Sequence, residues 1–256
     1  MMKRLVITLF ILFSIQLSSQ TFGQGAKTTL KIGGSAISYK GDLSPTFSDW
    51  QGAARAELNF NAHKDLNWGI NLWYGQIAAG TSDALTGDVR PEMRFTNVRT
   101  TLLSTELFLG YQKFITKSLK AYARVGVGGM KYDPIGDIYR ELGDGRILRD
   151  RNIKLRDVEV TRTENEEEYG RYAFTLPLGI GLSYTLPNGF GIDTQFRYIN
   201  PFTDYLDNVS ELGSVDGNDK LIEWNIALVI PLKYLSKTEN TKYKQKLRKE
   251  TLIRRR

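Results

Sequence analysis

Two long stretches of the chain alternate strictly between apolar or small residues and mostly polar ones. Over 50–62 the even positions are apolar or small, and over 172–186 the even positions run from Tyr172 to Leu186. A period of two is typical of a β-strand whose two faces meet different surroundings. Strands of soluble sandwiches average about 5 to 6 residues. Runs of this length, with aromatic residues near the ends of the apolar face, instead indicate tilted strands that cross a membrane.

Six further runs alternate in the same way and bring the predicted number of strands to eight. They lie at 28–39, 66–74, 103–111, 119–127, 190–198 and 222–232. The first is the weakest, and it is counted because barrels of this kind have an even number of strands. The links between runs alternate between long loops and short turns, and the longest loop is 131–171. We therefore predict an all-β fold, an eight-stranded antiparallel transmembrane β-barrel of the outer-membrane type over 24–234, with both chain ends on the periplasmic side.

The first 23 residues resemble a secretory signal peptide. Lys3 and Arg4 precede an uncharged, mostly apolar run over 5–17, which is shorter than the roughly 20 residues that a membrane-spanning helix needs. We expect cleavage after Gly23, with Ser19 as the alternative site. The predicted location is the bacterial outer membrane. The chain has no cysteine, which excludes disulfides, thiolate metal sites and a cysteine nucleophile.

The positive charge is concentrated at the chain ends. The formal net charge is +7, and residues 233–256 contain six Lys, four Arg and two Glu, a net +8. Lys3 and Arg4 add +2, which leaves −3 for residues 5–232. Nucleic-acid binding requires Lys and Arg spread over a folded surface. We therefore expect no nucleic-acid partner.

Charged residues of both signs fall on the predicted inner face of the barrel. An eight-stranded barrel has an interior just wide enough for its own side chains, and buried charges require partners. We therefore predict a salt-bridged plug in place of the single-sign ring of an ion-selective pore, and no passive diffusion of solutes. The residues of this lumen network are Arg55, Glu57, Glu106, Lys120, Arg124, Asp193, Arg197 and Glu223.

Residues suited to catalysis are scarce, and we predict no enzymatic activity, no cofactor and no metal site. The single histidine, His63, lies in a predicted periplasmic turn, away from any nucleophile in the outer loops. Asp204 and Asp207, and the acidic run 164–168, are interpreted as solvated loop residues. The alternative is that they bridge divalent cations to the lipopolysaccharide surface.

Several short motifs resemble one family of bacterial outer-membrane barrels, in matching order along most of the chain. They are Ile32-Gly33-Gly34, the segment 39–45, Val125-Gly126-Val127-Gly128, the segment 176–182 and the segment 202–210. The most specific of them is Thr203-Asp204-Tyr205-Leu206-Asp207. The family includes the barrel subunit of the type IX secretion (Por) machinery. The resemblance implies a non-enzymatic barrel that anchors periplasmic secretion components to the outer membrane.

The basic tail, 235–256, follows the last predicted strand into the periplasm. We hypothesise that it docks on an acidic periplasmic partner or on the anionic inner leaflet, and the alternative is a solvated flexible tail. Its docking residues are Lys242, Lys244, Lys246, Arg248, Lys249, Arg254, Arg255 and Arg256. The expected partners are outer-membrane lipid, lipopolysaccharide and periplasmic secretion-machinery proteins. Alternative functions are a small transport or lipid-modifying barrel, or a surface adhesin that uses the 131–171 loop.

Overall fold

The computed structural model describes residues 28–44, 46–61, 65–79, 93–141, 147–155, 170–187, 189–207 and 217–232. The signal peptide, His63, the acidic run 164–168 and the basic tail lie outside these ranges. Nine strands are present in the described part: β1 (Thr28–Lys40), β2 (Gln51–Asn61), β3 (Leu66–Ala78), β4 (Met93–Phe114), β5 (Leu119–Glu141), β6 (Ile147–Lys154), β7 (Tyr172–Thr185), β8 (Gly191–Pro201) and β9 (Lys220–Pro231). Within the same ranges no helix has the length and apolar character needed to cross a membrane.

Eight of the nine strands close into an antiparallel barrel. Each barrel strand pairs with the next barrel strand along the chain. β6 is not part of the ring, so β5 pairs directly with β7, and β1 closes the ring by pairing with β9. The predicted fold class is therefore confirmed. The links after β2, β4 and β7 are short and define the short-turn end of the barrel. The links after β1, β3 and β8 and the region around β6 define the long-loop end.

The alternation in the sequence is also the alternation between the two faces of the wall. Large apolar side chains that point outward remain exposed, such as Leu109 at 57%, Ile180 at 64% and Leu228 at 62%. The intervening positions are buried, as in β8, where Asp193, Gln195 and Arg197 point inward. An apolar surface that encircles the molecule in this way is suited to lipid and not to water.

The long-loop end differs from the prediction, because strands continue into the region predicted as a loop at 131–171. β5 extends to Glu141, and β6 pairs with its outer half beside the first residues of β4. This three-stranded sheet projects beyond the barrel, where β6 exposes Leu148 to water while Ile153 packs against the core. It therefore lacks the strict alternation by which the other strands were recognised.

A single carboxylate connects the three strands of this projecting sheet. Asp137 accepts hydrogen bonds from Arg149 Nη2 at 2.8 Å, Asn97 Nδ2 at 3.0 Å and the Asn152 amide at 3.0 Å. These donors, Arg149 first among them, lower the pKa of Asp137 to about 2. The carboxylate is therefore ionised at physiological pH and ties β4, β5 and β6 together.

Candidate functional site in the barrel lumen and at its long-loop end

The middle of the lumen contains four anions and four cations in alternating contact. Glu57 lies at the centre of one group, 2.7 Å from Arg124 Nη1, 2.9 Å from Arg55 Nη2 and 3.2 Å from Lys31 Nζ. Lys31 also lies 2.9 Å from Asp193. All of these side chains are almost completely buried. The strands bring them together because residues two apart on each strand share the inner face.

The second group extends this network toward the long-loop end. Arg197 Nη2 donates to both oxygens of Glu106, at 2.6 and 2.7 Å, and its Nη1 lies 2.9 Å from Glu223. Arg55 Nη1 lies 3.9 Å from the other Glu223 oxygen and joins the two groups. The Arg197–Glu106 contact is a charge-assisted hydrogen bond, whereas the Arg197–Glu223 contact is an ion pair without hydrogen-bond geometry. The resulting network crosses the barrel with its charges balanced.

The structure places all eight predicted lumen residues inside the barrel, and seven of them in this network. The eighth, Lys120, lies nearer the short-turn end, where its Nζ donates to Gln112 Oε1 at 3.1 Å. Lys31 is a cation of the network that was not predicted from the sequence. Its position between Leu30 and Ile32 in the alternation of β1 indicates an inward-facing side chain.

Above the charges, the lumen is filled by apolar side chains. This apolar layer has Ile37, Trp73, Ile77, Leu102 and Met130 among its members, each at most 1% exposed. Trp73 Nε1 donates to Glu106 Oε1 at 2.8 Å and so attaches the layer to the charges below it. A water-filled channel would require polar side chains at this level, so the layer separates the charge network from the long-loop end.

A lid closes the long-loop end, and two of the resembling motifs form it. It consists of residues 41–44 after β1 and 203–207 after β8, which place Leu43 and Leu206 on the apolar layer. The Leu43 amide donates to Asp207 Oδ2 at 3.0 Å, and the Leu206 amide donates to Asp219 Oδ2 at 2.8 Å. Thr100 on the barrel wall donates to the Leu206 carbonyl. The lid is therefore bonded to itself and to the wall.

Within the lid motif, Thr203 and Tyr205 support the two leucines. The Thr203 hydroxyl lies 3.3 Å from that of Tyr132 on β5, and its carbonyl accepts from the Asp219 amide at 3.1 Å. Tyr205 packs against the apolar layer. Asp204 contributes a negative charge near Asp219. Thr203, Tyr205, Leu206 and Asp207 therefore help to form or hold the lid.

Two buried carboxylates share one tyrosine at the centre of the lid. The Tyr39 hydroxyl donates to Asp207 Oδ2 at 2.6 Å and lies 3.0 Å from Asp219 Oδ1. Burial and the Asp207 charge raise the pKa of Asp219 well above its ordinary value. A phenol has one hydrogen, so all three groups are satisfied when Asp219 carries a proton. Gly41 is required here because a Cβ atom would overlap Tyr39 and Asp219.

The lid corrects the interpretation of Asp207 as a solvated loop residue. Its side chain is 0% exposed, because it holds the two lid segments together. Across the described residues there is no cluster of three or more His, Asp or Glu side chains that could hold a metal ion. The contacts of the lid with itself and with the wall close the long-loop end of the lumen.

Comparison with known proteins gives matches to bacterial outer-membrane barrels. Neisserial surface protein A is 14% identical, with 81% of this chain and 99% of that chain covered and a TM-score of 0.45. Ail of Yersinia pestis, in complex with the heparin analogue sucrose octasulfate, is 14% identical, with 80% and 97% covered and a TM-score of 0.41. The N-terminal β-barrel domain of Pseudomonas aeruginosa OprF is 12% identical, with 80% and 99% covered and a TM-score of 0.33.

Sequence comparison identifies the family directly. No curated protein sequence matches the chain significantly. The model of the outer membrane protein beta-barrel domain family, however, matches residues 5–228, which is most of the chain. Together with the closed eight-stranded barrel and its apolar outer surface, this match shows that the chain belongs to the outer membrane protein β-barrel domain family and resides in the bacterial outer membrane.

Proposed function

We propose that the protein is a non-conducting, non-enzymatic barrel that acts as a membrane anchor for other proteins. The observation that carries this proposal is the lumen, which is filled by balanced charges and by an apolar layer under a bonded lid. A barrel closed in this way offers its partners only its two ends and its outer wall. Its short-turn end faces the periplasm, and both ends of the barrel chain reach that side.

The proposed context is the type IX secretion machinery, with the barrel anchoring periplasmic components to the outer membrane. Its support is the resemblance of the motifs around 39–45 and 203–207 to the family that includes the barrel subunit of that machinery. The two motifs meet in the lid, so the resemblance concerns a joined structural unit. The basic tail 235–256 is the proposed docking element for periplasmic partners.

Single-channel recording tests the closed lumen. We expect no steady conductance from the purified protein in planar bilayers at neutral pH. A matched pair of variants makes the test sensitive. Trp73→Ala removes the largest side chain of the apolar layer and should produce intermittent conductance, whereas Leu72→Ala on the lipid-facing side should not. Steady conductance of the unaltered protein would favour the transport alternative.

Truncation tests the anchoring role. We expect that deletion of residues 236–256 leaves the barrel folded in the outer membrane but abolishes co-purification of periplasmic proteins and lowers type IX secretion. A control that replaces each Lys and Arg of the tail by the other keeps the charge and should retain both. Unchanged co-purification and secretion in the deletion strain would refute docking through the tail.

The projecting sheet favours one second candidate, a surface adhesin. β6 and the outer half of β5 extend beyond the membrane and present Leu148 at 51% exposure beside Arg149 and Arg151. Removal of residues 136–154 should then abolish binding of cells to a surface ligand without affecting secretion. Loss of secretion with unchanged cell binding would favour the anchor over the adhesin.

A further inference from the structure

The outer wall of the barrel is interrupted by a groove of about 560 Å³ that involves the periplasmic parts of β4, β5, β7 and β8 and the middle of β9. Its floor is made by small side chains, Ala121 and Ala123 of β5 and Thr194 of β8. Its sides are large and apolar, with Ile180 on β7 and Trp224 on β9 both more than half exposed. This volume falls in the range of pockets that hold small molecules.

The strand register shows that the residues lining the groove are adjacent across neighbouring strands. Lys113, Ala121, Leu182 and Thr194 are consecutive partners across four strands, and Tyr111, Ala123, Ile180, Phe196 and Trp224 form the adjacent row across five. Hydrogen-bonded strands lie about 4.8 Å apart, so the longer row spans about 19 Å. The lining residues therefore form one contiguous band, whose length along the wall is comparable to that of an extended acyl chain.

The groove also rises into the membrane from the periplasmic side. Lys113, at one end, is one residue from the last residue of β4, Phe114. Trp224, at the other end, is seven residues from the last residue of β9, Pro231. The first end thus lies near the membrane surface and the second lies deeper in the hydrocarbon.

The charged end of the groove is the end near the membrane surface, and the apolar end is the deeper one. Lys113 is exposed at the periplasmic end beside Tyr111, whose side chain is 56% exposed. At the deep end the two polar groups satisfy each other, since Trp224 Nε1 donates to Thr194 Oγ1 at 3.0 Å. The shallow end therefore offers a cation and a phenol, and the deep end offers an apolar surface without an unpaired donor.

We propose that this groove is a specific binding site for one glycerophospholipid of the periplasmic leaflet. One acyl chain lies over Ala121 and Ala123 and extends toward Trp224, and the phosphate contacts Lys113. The alanines leave the space that the chain fills, and the cation complements the anionic headgroup. Lipopolysaccharide does not fit, because its headgroup lies on the opposite side of the membrane from Lys113.

Native mass spectrometry of the full chain, purified from outer membranes in mild detergent and titrated with phosphatidylglycerol, tests the site. We expect one tightly retained phospholipid per chain. Lys113→Ala should weaken its binding about fivefold, the equivalent of ~1 kcal/mol for one lysine at an anionic lipid surface. Ala123→Phe should weaken it more, because the phenyl ring occupies the space of the acyl chain.

Two matched variants act as controls. Lys131→Ala removes an exposed lysine of β5 at the long-loop end of its pairing with β7, and Ala54→Phe enlarges an exposed alanine on β2. Both should bind lipid as the unaltered protein does. In vesicles, a phospholipid brominated along its chain should quench Trp224 fluorescence, obtained by subtraction of a Trp224→Phe variant, and Ala123→Phe should reduce that quenching.

Three results would overturn the proposal. One is equal lipid retention in Ala123→Phe and Ala54→Phe, both shown to be folded by their migration without heating in gel electrophoresis. Another is retention of detergent alone, and the third is a second copy of the chain on this face, seen as a dimer that Ala123→Phe dissociates.

Discussion

Glu57 is the residue whose replacement tests the lumen network most directly. Three cations contact its carboxylate, from Arg124 at 2.7 Å to Lys31 at 3.2 Å, and it is 2% exposed. Glu57→Gln keeps the size of the side chain but leaves four cations and three anions in the central lumen. Removing one partner of a buried ion pair costs about 3 to 5 kcal/mol. We expect the free energy of unfolding to fall by an amount in this range, whereas the whole free energy of unfolding of a typical protein is about 5 to 15 kcal/mol.

The free energy of unfolding can be measured by urea titration in lipid vesicles, followed by tryptophan fluorescence and linear extrapolation. The matched control is Asp49→Asn, which also replaces a carboxylate by an amide, but at an exposed position where the neighbouring Ser48 hydroxyl donates to it. Exposed charges contribute about 0 to 1 kcal/mol. The control should therefore lower the free energy of unfolding much less than Glu57→Gln.

A second substitution makes the test specific for charge balance. Lys31→Met alone removes a cation and should also destabilise the barrel. In the Glu57→Gln background it restores neutrality, so the double variant should lose at least about 1 kcal/mol less than the sum of the two single losses. A loss below about 1 kcal/mol for Glu57→Gln, or strictly additive losses, would show that the charges are hydrated independently and would refute the network.

Three further predictions concern the lid. Gly41→Ala should lower the free energy of unfolding by about 1 to 3 kcal/mol through steric overlap. It should also expose the lid segments to proteolysis on intact cells. The control is Gly52→Ala, where a Cβ atom meets open space. Tyr39→Phe leaves Asp207 without the phenol donor and Asp219 without the phenol oxygen. It should lower the free energy of unfolding, measured by urea titration, by about 1 to 3 kcal/mol. Because folding raises the pKa of Asp219, the stability it contributes is complete below its unfolded pKa of about 4 and is lost as pH rises through the raised value. Urea titrations across that window should show this decline in the unaltered protein but not in Asp219→Asn.

The barrel itself could be predicted from the sequence because lipid and lumen impose opposite requirements on alternate residues. The pattern at 172–186, for example, appears in the structure as exposed Tyr172 and Phe174 around buried Ala173. The same logic located Arg55, Glu57 and Glu106 in the lumen. Where one face of a strand meets only lipid and the other only the polar lumen, a period of two is sufficient to predict the strand.

The features that could not be predicted are those in which one face of a strand passes through two environments, as where the inner face is polar in the middle of the lumen and apolar above it. Ile37 and Ile77 point inward yet are apolar, so a rule that assigns apolar residues to lipid cannot find the apolar layer. β6 is exposed along most of its length, and Ile147–Lys154 shows no alternation. The pairing of Tyr39 with Asp207 joins residues 168 positions apart, and local spacing contains no information about such a contact.

The ring is completed by a ladder that runs from Thr29–Pro231 to Lys40–Lys220, between residues about 180 to 200 positions apart. Any chain that stops before β9 therefore has two open sheet edges. In hydrocarbon each unpaired backbone group on those edges would cost several kcal/mol. A partly synthesised or truncated chain is thus excluded from the bilayer by its own backbone. Membrane insertion therefore requires that the chain has been made as far as the end of β9.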